Sequence, residues 1–311
     1  MRIVKASERH GGGRAHLPAW FRTRLPNGAA YRLLSGIIRR ESLHTVCDSA
    51  ICPNRGECWS RGVATFLIMG DVCTRSCAFC NVRTGRPGPL DDGEVAGVAL
   101  AVRDLRLRHV VITSVDRDDL PDGGASFFSR VIREVRHKAP GCAIEVLVPD
   151  FRGSHADATI VMEAAPEFFG HNIETVPSLY RVARRGSVYE RSLSLLRFAA
   201  GRGGMVVKTG LMVGLGEKMG ELLETMAQIR ETGCEMLTVG QYLQPSPAHL
   251  PVRRYYEPGE FGEIRETAMS MGFSRVTAGP LVRSSYLADL QASGEGLHVT
   301  RGNQFPVSPE S

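Results

Sequence analysis

Residues 64–80 read ATFLIMGDVCTRSCAFC. Ala64–Gly70 is a largely apolar run closed by glycine, the pattern of a short strand buried on both faces. Directly behind it stand Cys73, Cys77 and Cys80 in the spacing C-x3-C-x2-C. A strand that delivers three thiols into the loop at its C-terminal end is decisive, because βα architectures collect their reactive groups at that end.

The same punctuation recurs downstream. Further strands are predicted at His109–Ser114, Ala143–Asp150, Glu167–Ile173, Met205–Gly214, Met236–Tyr242 and Arg275–Ala278. Between them, helical spacing runs over Glu94–Arg108, Gly124–Lys138, Ser154–Ala164, Pro177–Arg202, Glu217–Glu231 and Pro258–Met271. In Gly124–Lys138 one face carries Phe127, Phe128, Val131, Ile132 and Val135. The pattern amounts to six βα units and a final strand, and such alternation implies a parallel sheet. An open doubly wound sheet and a barrel both satisfy it. Polar residues follow nearly every strand, at Thr113–Asp119, Asp150, His171–Thr175, Gln241–Ser246 and Arg283–Tyr286. That recurrence favours a barrel, complete or partial, whose mouth gathers them.

Composition sets the outer bounds. The chain has 311 residues, 43% of them hydrophobic and 23% charged, with a net charge of +5. This is an ordinary globular composition, and the charge is too small and diffuse to argue for nucleic acid. No apolar run reaches membrane-span length, and MRIVKASERHGGGRAHLPAWF has no apolar core of a signal peptide. The expectation is a cytoplasmic protein, with fraying over the first ~15 and the last ten residues. In such a compartment the eight cysteines stay reduced. Six of them cluster as Cys47, Cys52, Cys58, Cys73, Cys77 and Cys80, which points to metal. Cys142 and Cys234 stand alone and read as buried packing thiols.

A zinc site takes four ligands, whereas each cysteine group here offers three. Three thiolates on an iron–sulfur cubane leave one iron open to a small molecule. The second triplet, with an aromatic just before its last cysteine, resembles the radical S-adenosylmethionine (SAM) superfamily. CDSAICPNRGECW followed by ATFLIMGDVCTRSCAFCNVRTGRP is similar to the lipoyl synthase family within it. The resemblance continues through VVITSVDRDDLPDGGA, IEVLVPDFRG, HNIETVPSLY, KTGLMVGLGE, GQYLQPSPAHLPVRRY and GPLVRSSYLADLQA, in family order, over about residues 17–292.

The resemblance implies an α/β fold, a partial (β/α)6 TIM-type barrel of the radical SAM type with an N-terminal cap and a C-terminal ligand-bearing tail. It implies that residues 1–62 form the extension with the auxiliary-cluster cysteines, 63–280 the barrel, and 281–311 the tail. The activity it implies is insertion of two sulfur atoms at C6 and C8 of a protein-bound octanoyl-lysine, served by two 4Fe–4S clusters and two SAM per lipoyl group. By the same resemblance, Cys73, Cys77 and Cys80 hold the cluster that cleaves SAM. Cys47, Cys52 and Cys58 then hold the auxiliary cluster, the sulfur donor, whose fourth ligand is Ser285 of the Arg283–Tyr286 motif, with Ser284 as the alternative. Candidate SAM contacts are Ser114, Asp116, Asn172, Glu174, Lys208 and Met212. The implied partners are octanoylated lipoyl carriers (2-oxoacid dehydrogenase E2 domains and the glycine cleavage H protein), a ferredoxin- or flavodoxin-type electron donor, and an iron–sulfur carrier.

Three local features carry their own expectations. Arg181, Arg184, Arg185 and Arg191 form a positive stretch, readable as a solvated helix face or a docking surface. Gly214–Glu217 makes a glycine turn too short to claim as a phosphate loop. Trp20, Phe21 and Trp59 read as packing residues of the cap. Two rival functions are a different two-cluster sulfur-inserting enzyme, such as a methylthiotransferase, and a zinc-stabilised nucleic-acid-binding protein.

Overall fold

The computed structural model describes residues 17–21, 28–61 and 63–293. The predicted frayed termini lie almost wholly outside them. After a short turn of helix at Ala19–Phe21 come helix α1 (Ala29–Arg40), strand β1 (His44–Thr45) and helices α2 (Val46–Ser49) and α3 (Arg55–Ser60). Strand β2 (Thr65–Ile68) leads into a two-strand ladder, β3 (Val72–Cys73) and β4 (Arg83–Thr84). Then α4 (Gly93–Asp104), β5 (His109–Ser114), α5 (Ala125–Lys138), β6 (Ala143–Leu147), α6 (His155–Met162), β7 (Phe168–Gly170), α7 (Pro177–Ala183) and α8 (Tyr189–Arg202) alternate. The series closes with β8 (Val206–Val213), α9 (Met219–Glu231), β9 (Met236–Gln241), α10 (Pro258–Ser270), β10 (Arg275–Gly279) and α11 (Ala288–Ser293).

The sheet order is β1-β2-β5-β6-β7-β8-β9-β10. From β2 onward every pairing is parallel and follows chain order, while β1 adds an antiparallel edge. Among the described residues no ladder joins β10 back to β2, so the sheet is open, as in a partial barrel. Parallel strands buried on both faces need apolar residues throughout. Accordingly Thr65–Ile68 and Met236–Gln241 are buried at every position. The helices coat the outside: Phe127, Phe128, Val131, Ile132 and Val135 of α5 are fully buried. Among the described residues no helix is long and apolar enough to cross a membrane.

Just beyond β7 stands His171, fully buried. Its Nδ1 lies 2.8 Å from the Val148 carbonyl and its Nε2 2.9 Å from Ser192 Oγ. A carbonyl only accepts, so Nδ1 carries the proton and Nε2 accepts from the serine hydroxyl. Burial, aided by the Arg184 charge, drives the imidazole down to about 3. A histidine held neutral when folded still takes up a proton when unfolded, near pH 6.5. Its contribution is therefore intact above pH 6.5 and erodes as pH falls, by about 1.4 kcal/mol per unit until the folded value is reached. Urea unfolding at pH 7 and pH 5 is expected to show about 2 kcal/mol less stability at pH 5 from this group. A His171→Gln protein should lack that increment.

Candidate active site

At the C-terminal ends of the strands lies a cavity of about 480 Å³. Cys73, Cys77 and Cys80 line one side of it, and Cys47 and Cys52 another. Cys58 is buried behind these two, within electrostatic reach of both. Cys142 and Cys234 are buried away from it.

The loop bearing Cys73, Cys77 and Cys80 is fixed from three directions. From the β5 end, the Asp116 carbonyl accepts from the Thr74 amide at 3.0 Å and the Thr74 hydroxyl at 2.9 Å. The amides of Arg75 and Asp116 point at Cys73 Sγ, at 3.4 and 3.3 Å. From below, the buried Arg75 guanidinium grips Asp118 at 2.7 and 2.8 Å, Asp150 at 2.6 Å and Asp116 at 3.4 Å. Despite burial, Arg75 holds the Asp150 carboxyl down to about 2. From the β9 side, Leu250 N–H donates to the Ala78 carbonyl at 3.0 Å, and His249 Nε2–H to the Cys80 carbonyl at 3.0 Å. Burial pushes Cys73 and Cys77 up to about 12 and raises Cys80. These are protonated thiols at neutral pH, and metal loading must displace their protons.

The first triplet rides on the cap. Cys47 sits on α2, whose first turn is capped by the Thr45 side chain, and Cys58 on α3. Burial raises both thiols, Cys47 to about 11. Trp59 is buried against Tyr31 at 5.2 Å, and Phe21 packs 5.6 Å from Tyr255, as packing residues should. The C-terminal motif closes over this side. Asn54 Nδ2 donates to the Leu281 carbonyl at 2.6 Å, Tyr286 OH to Glu57 Oε2 at 3.0 Å, and Arg61 faces Asp289 at 3.4 Å. The Leu287 amide points at Cys58. Ser284 and Ser285 both line the cavity. Gly240, at the end of β9, is required here: a Cβ on it would stand 2.0 Å from the Val282 carbonyl.

Of the expected SAM contacts, Ser114, Asp116, Asn172, Glu174 and Met212 line the cavity. Ser114 Oγ and Asn172 Oδ1 are buried with no hydrogen-bond partner among the described residues, which marks a wall built for a polar ligand. Glu174 adopts φ 71°, a strained left-handed backbone pinned by its N–H to the Gly210 carbonyl at 2.9 Å and its carbonyl to Met212 N–H at 2.7 Å. Burial raises both Glu174 and Asp116.

Lys208 does not belong to this set. It is buried, with Nζ 2.7 Å from Glu145 Oε1, and Glu145 Oε2 lies 3.1 Å from His109 Nε2. This charged layer sits deeper, below Gly210 and Met212 on the same face of β8, and does not line the cavity. The arginine stretch also divides. Arg181 and Arg185 are exposed, Arg191 reaches Asp150 at 3.3 Å, and Arg184 is buried in the cavity wall, bonded to the Asn172 carbonyl and Tyr180 OH at 2.7 Å each. The glycine turn is filled by its own Glu217 carboxylate, which accepts from Gly214, Leu215 and Gly216 N–H at 2.6, 2.9 and 3.1 Å. Arg75 and Arg184 also line the cavity and were not expected there, whereas Arg283 belongs to the expected Arg283–Tyr286 motif. An arginine inside a ligand loop and an aspartate run after β5 were the available signal for Arg75.

The thiol triplets, with amide donors at Cys73 Sγ and the partnerless oxygens of Ser114 and Asn172 nearby, fit iron–sulfur clusters and a polar cofactor. An open parallel barrel whose first inner strand feeds C-x3-C-x2-C into its mouth defines a radical SAM enzyme, and residues 67–229 match the radical SAM superfamily. Residues 3–52 match the N-terminal domain of lipoyl synthase. The chain is 53% identical over 280 residues to the lipoyl synthase of Rubrobacter xylanophilus, covering 90% of this chain and 87% of that one. With the lipoyl synthase of Nitrosococcus oceani it shares 51% over 286 residues, 91% of this chain and 88% of the relative. The chain belongs to the lipoyl synthase family, whose members use SAM and two 4Fe–4S clusters. It has lipoyl synthase activity, and its substrates are lipoyl-domain proteins. Among solved structures, methylornithine synthase is similar in fold, with TM-score 0.53 and 16% identity over 84% of this chain and 82% of its own. Streptococcus suis SuiB, bound to its precursor peptide, gives TM-score 0.53 and 9% identity over 80% of this chain and 52% of its own.

Proposed function

We propose that the two triplets divide the reaction, Cys73, Cys77 and Cys80 serving SAM cleavage and Cys47, Cys52, Cys58 and Ser285 holding the sulfur source. The observation that carries this reading is that Cys73, Cys77 and Cys80, Cys47 and Cys52, and the tail serines line one cavity, with Cys58 buried behind it. When bound, SAM and the clusters would supply the radical chemistry that opens C6 and C8 of the octanoyl chain, and the sulfur to be inserted there. The protein's own task is to position and to shield. Ser114, Asp116, Asn172, Glu174 and Met212 anchor SAM. Val115, Leu147, Val148 and Leu211 give the acyl chain an apolar wall free of exchangeable protons. The described part of the 1–62 segment acts as a cap on the 63–280 barrel, fastened by residues 281–289 of the 281–311 tail. Serine oxygen is a harder, weaker partner for iron than thiolate, which suits a cluster that must give up sulfur.

The setting is the reducing cytoplasm. The carrier is an octanoylated E2 domain or glycine cleavage H protein, a ferredoxin- or flavodoxin-type protein supplies electrons, and an iron–sulfur carrier rebuilds the auxiliary cluster. Two measurements test the assignment. Anaerobically loaded protein is expected to hold about eight irons per chain, two cubanes' worth, and zinc without iron would overturn it. With SAM and a reductant, an octanoyl-lysine peptide should gain two sulfurs by mass spectrometry, and lose two hydrogens once the dithiol is oxidised in air to the closed dithiolane. No product from protein with both clusters intact would sink the reading.

A further inference from the structure

We propose that Ser284 and Tyr286 are positioning residues that clasp Ser285 from both sides and present its hydroxyl to the auxiliary thiols. This rests on Ser285 being the fourth auxiliary ligand.

Three consecutive side chains have three different fates. The Ser284 hydroxyl is taken: Asn172 Nδ2 donates to it at 2.8 Å, tying the motif to the barrel beyond β7. The Tyr286 hydroxyl is taken: it donates to Glu57 at 3.0 Å, tying the motif to α3, one residue from Cys58. The Ser285 hydroxyl, between them, lines the cavity and makes no hydrogen bond among the described residues. The backbone is braced as well. Val282 N–H donates to the Gly279 carbonyl at 3.1 Å and Tyr286 N–H to the Arg283 carbonyl at 3.0 Å, so the motif is a closed turn. Asn54 holds it just upstream, at Leu281, and the Leu287 amide faces Cys58 just downstream.

The arrangement answers a problem in the ligand's chemistry. A serine oxygen binds cluster iron less strongly than a thiolate does. A weak ligand on a free loop would also lose conformational freedom on binding, which opposes the bond. Fixing the neighbours beforehand removes that penalty, so the bond forms yet stays easy to break. The two anchors lie on different parts of the molecule, and Asn172 also donates to Glu174 at 3.1 Å. The clasp thereby joins the candidate SAM wall to the auxiliary side through one side-chain amide.

The test uses full-length protein loaded with both clusters, handled anaerobically and exposed to a ferrous-iron chelator. Iron loss is followed by absorbance, and Mössbauer spectra assign it to one cluster or the other. Ser284→Ala and Tyr286→Phe are each expected to release auxiliary iron about tenfold faster than the unaltered protein, the factor one hydrogen bond's worth of stabilisation corresponds to. Ser284→Thr, which keeps the acceptor, should stay within about twofold. Ser285→Ala should be fastest of all. A merely structural role would lower the melting temperature and loosen both clusters alike. Tyr286→Phe deletes one oxygen and decides the matter should Ser284→Ala fold poorly. Unaltered release from Ser284→Ala and Tyr286→Phe, with fast release from Ser285→Ala, overturns the clasp and leaves the ligand reading standing. Unaltered release from Ser285→Ala overturns the ligand reading itself. Fast release from Ser284→Ala that threonine cannot rescue, with Ser285→Ala slower, makes Ser284 the ligand and overturns both.

Discussion

Replacing Cys77 with alanine is expected to abolish SAM cleavage, to below about a thousandth of the unaltered rate, while leaving the fold in place. A lost metal–ligand bond is worth several kcal/mol, and each 1.4 kcal/mol is a factor of ten. The loop itself should persist. Its anchors are backbone contacts of Thr74, Ala78 and Cys80 and the Arg75 clamp, none of which involves the Cys77 side chain. The iron content should therefore fall to about four per chain, the auxiliary cubane alone. Formation of 5′-deoxyadenosine, followed by chromatography, reads the result. Unaltered cleavage by Cys77→Ala would remove the triplet from the reaction.

The second large effect has the opposite signature. Cys52→Ala is expected to keep SAM cleavage within roughly threefold, which is less than 1 kcal/mol, and to yield no sulfur-bearing product. Cys52 is the informative choice because it is only partly buried, whereas removing the buried Cys58 opens space beneath the tail. 5′-deoxyadenosine formed without a mass gain on the octanoyl peptide separates the two roles in one assay. Lipoyl product at the unaltered level would end the sulfur-source assignment.

The barrel was legible because its strands are buried on both faces and so read as apolar blocks. His109–Ser114 has the predicted bounds, and Met236–Tyr242 differs by one residue. Depth along a strand was not legible. Lys208, Gly210 and Met212 share one face by the two-residue period, but that period carries no information on which layer opens to the mouth. The same limit hid Arg184: helical spacing placed it near exposed Arg181 and Arg185, while the turn ending α7 swings it inward. Helix α1 went unread because Ser35 and Gly36 interrupt its apolar residues along the sequence, although Leu34, Ile37 and Ile38 are all buried. The tail's place against α3 involves residues such as Glu57 and Tyr286, 229 positions apart, which no local pattern relates.

That separation bears on how the molecule is made. The thiols of the second triplet are all supplied by one short loop early in the chain, and each inner strand pairs with the one synthesised before it. Further contacts that secure the cap come much later in the chain, with Leu281, Tyr286 and Asp289. A nascent chain still lacking them holds the helices of its first three cysteines by the β1–β2 pairing, the Tyr31–Trp59 contact and the Asn81 bond to Ser49. Residues 281–289 thus act as a latch on helices made more than 220 positions earlier in the chain.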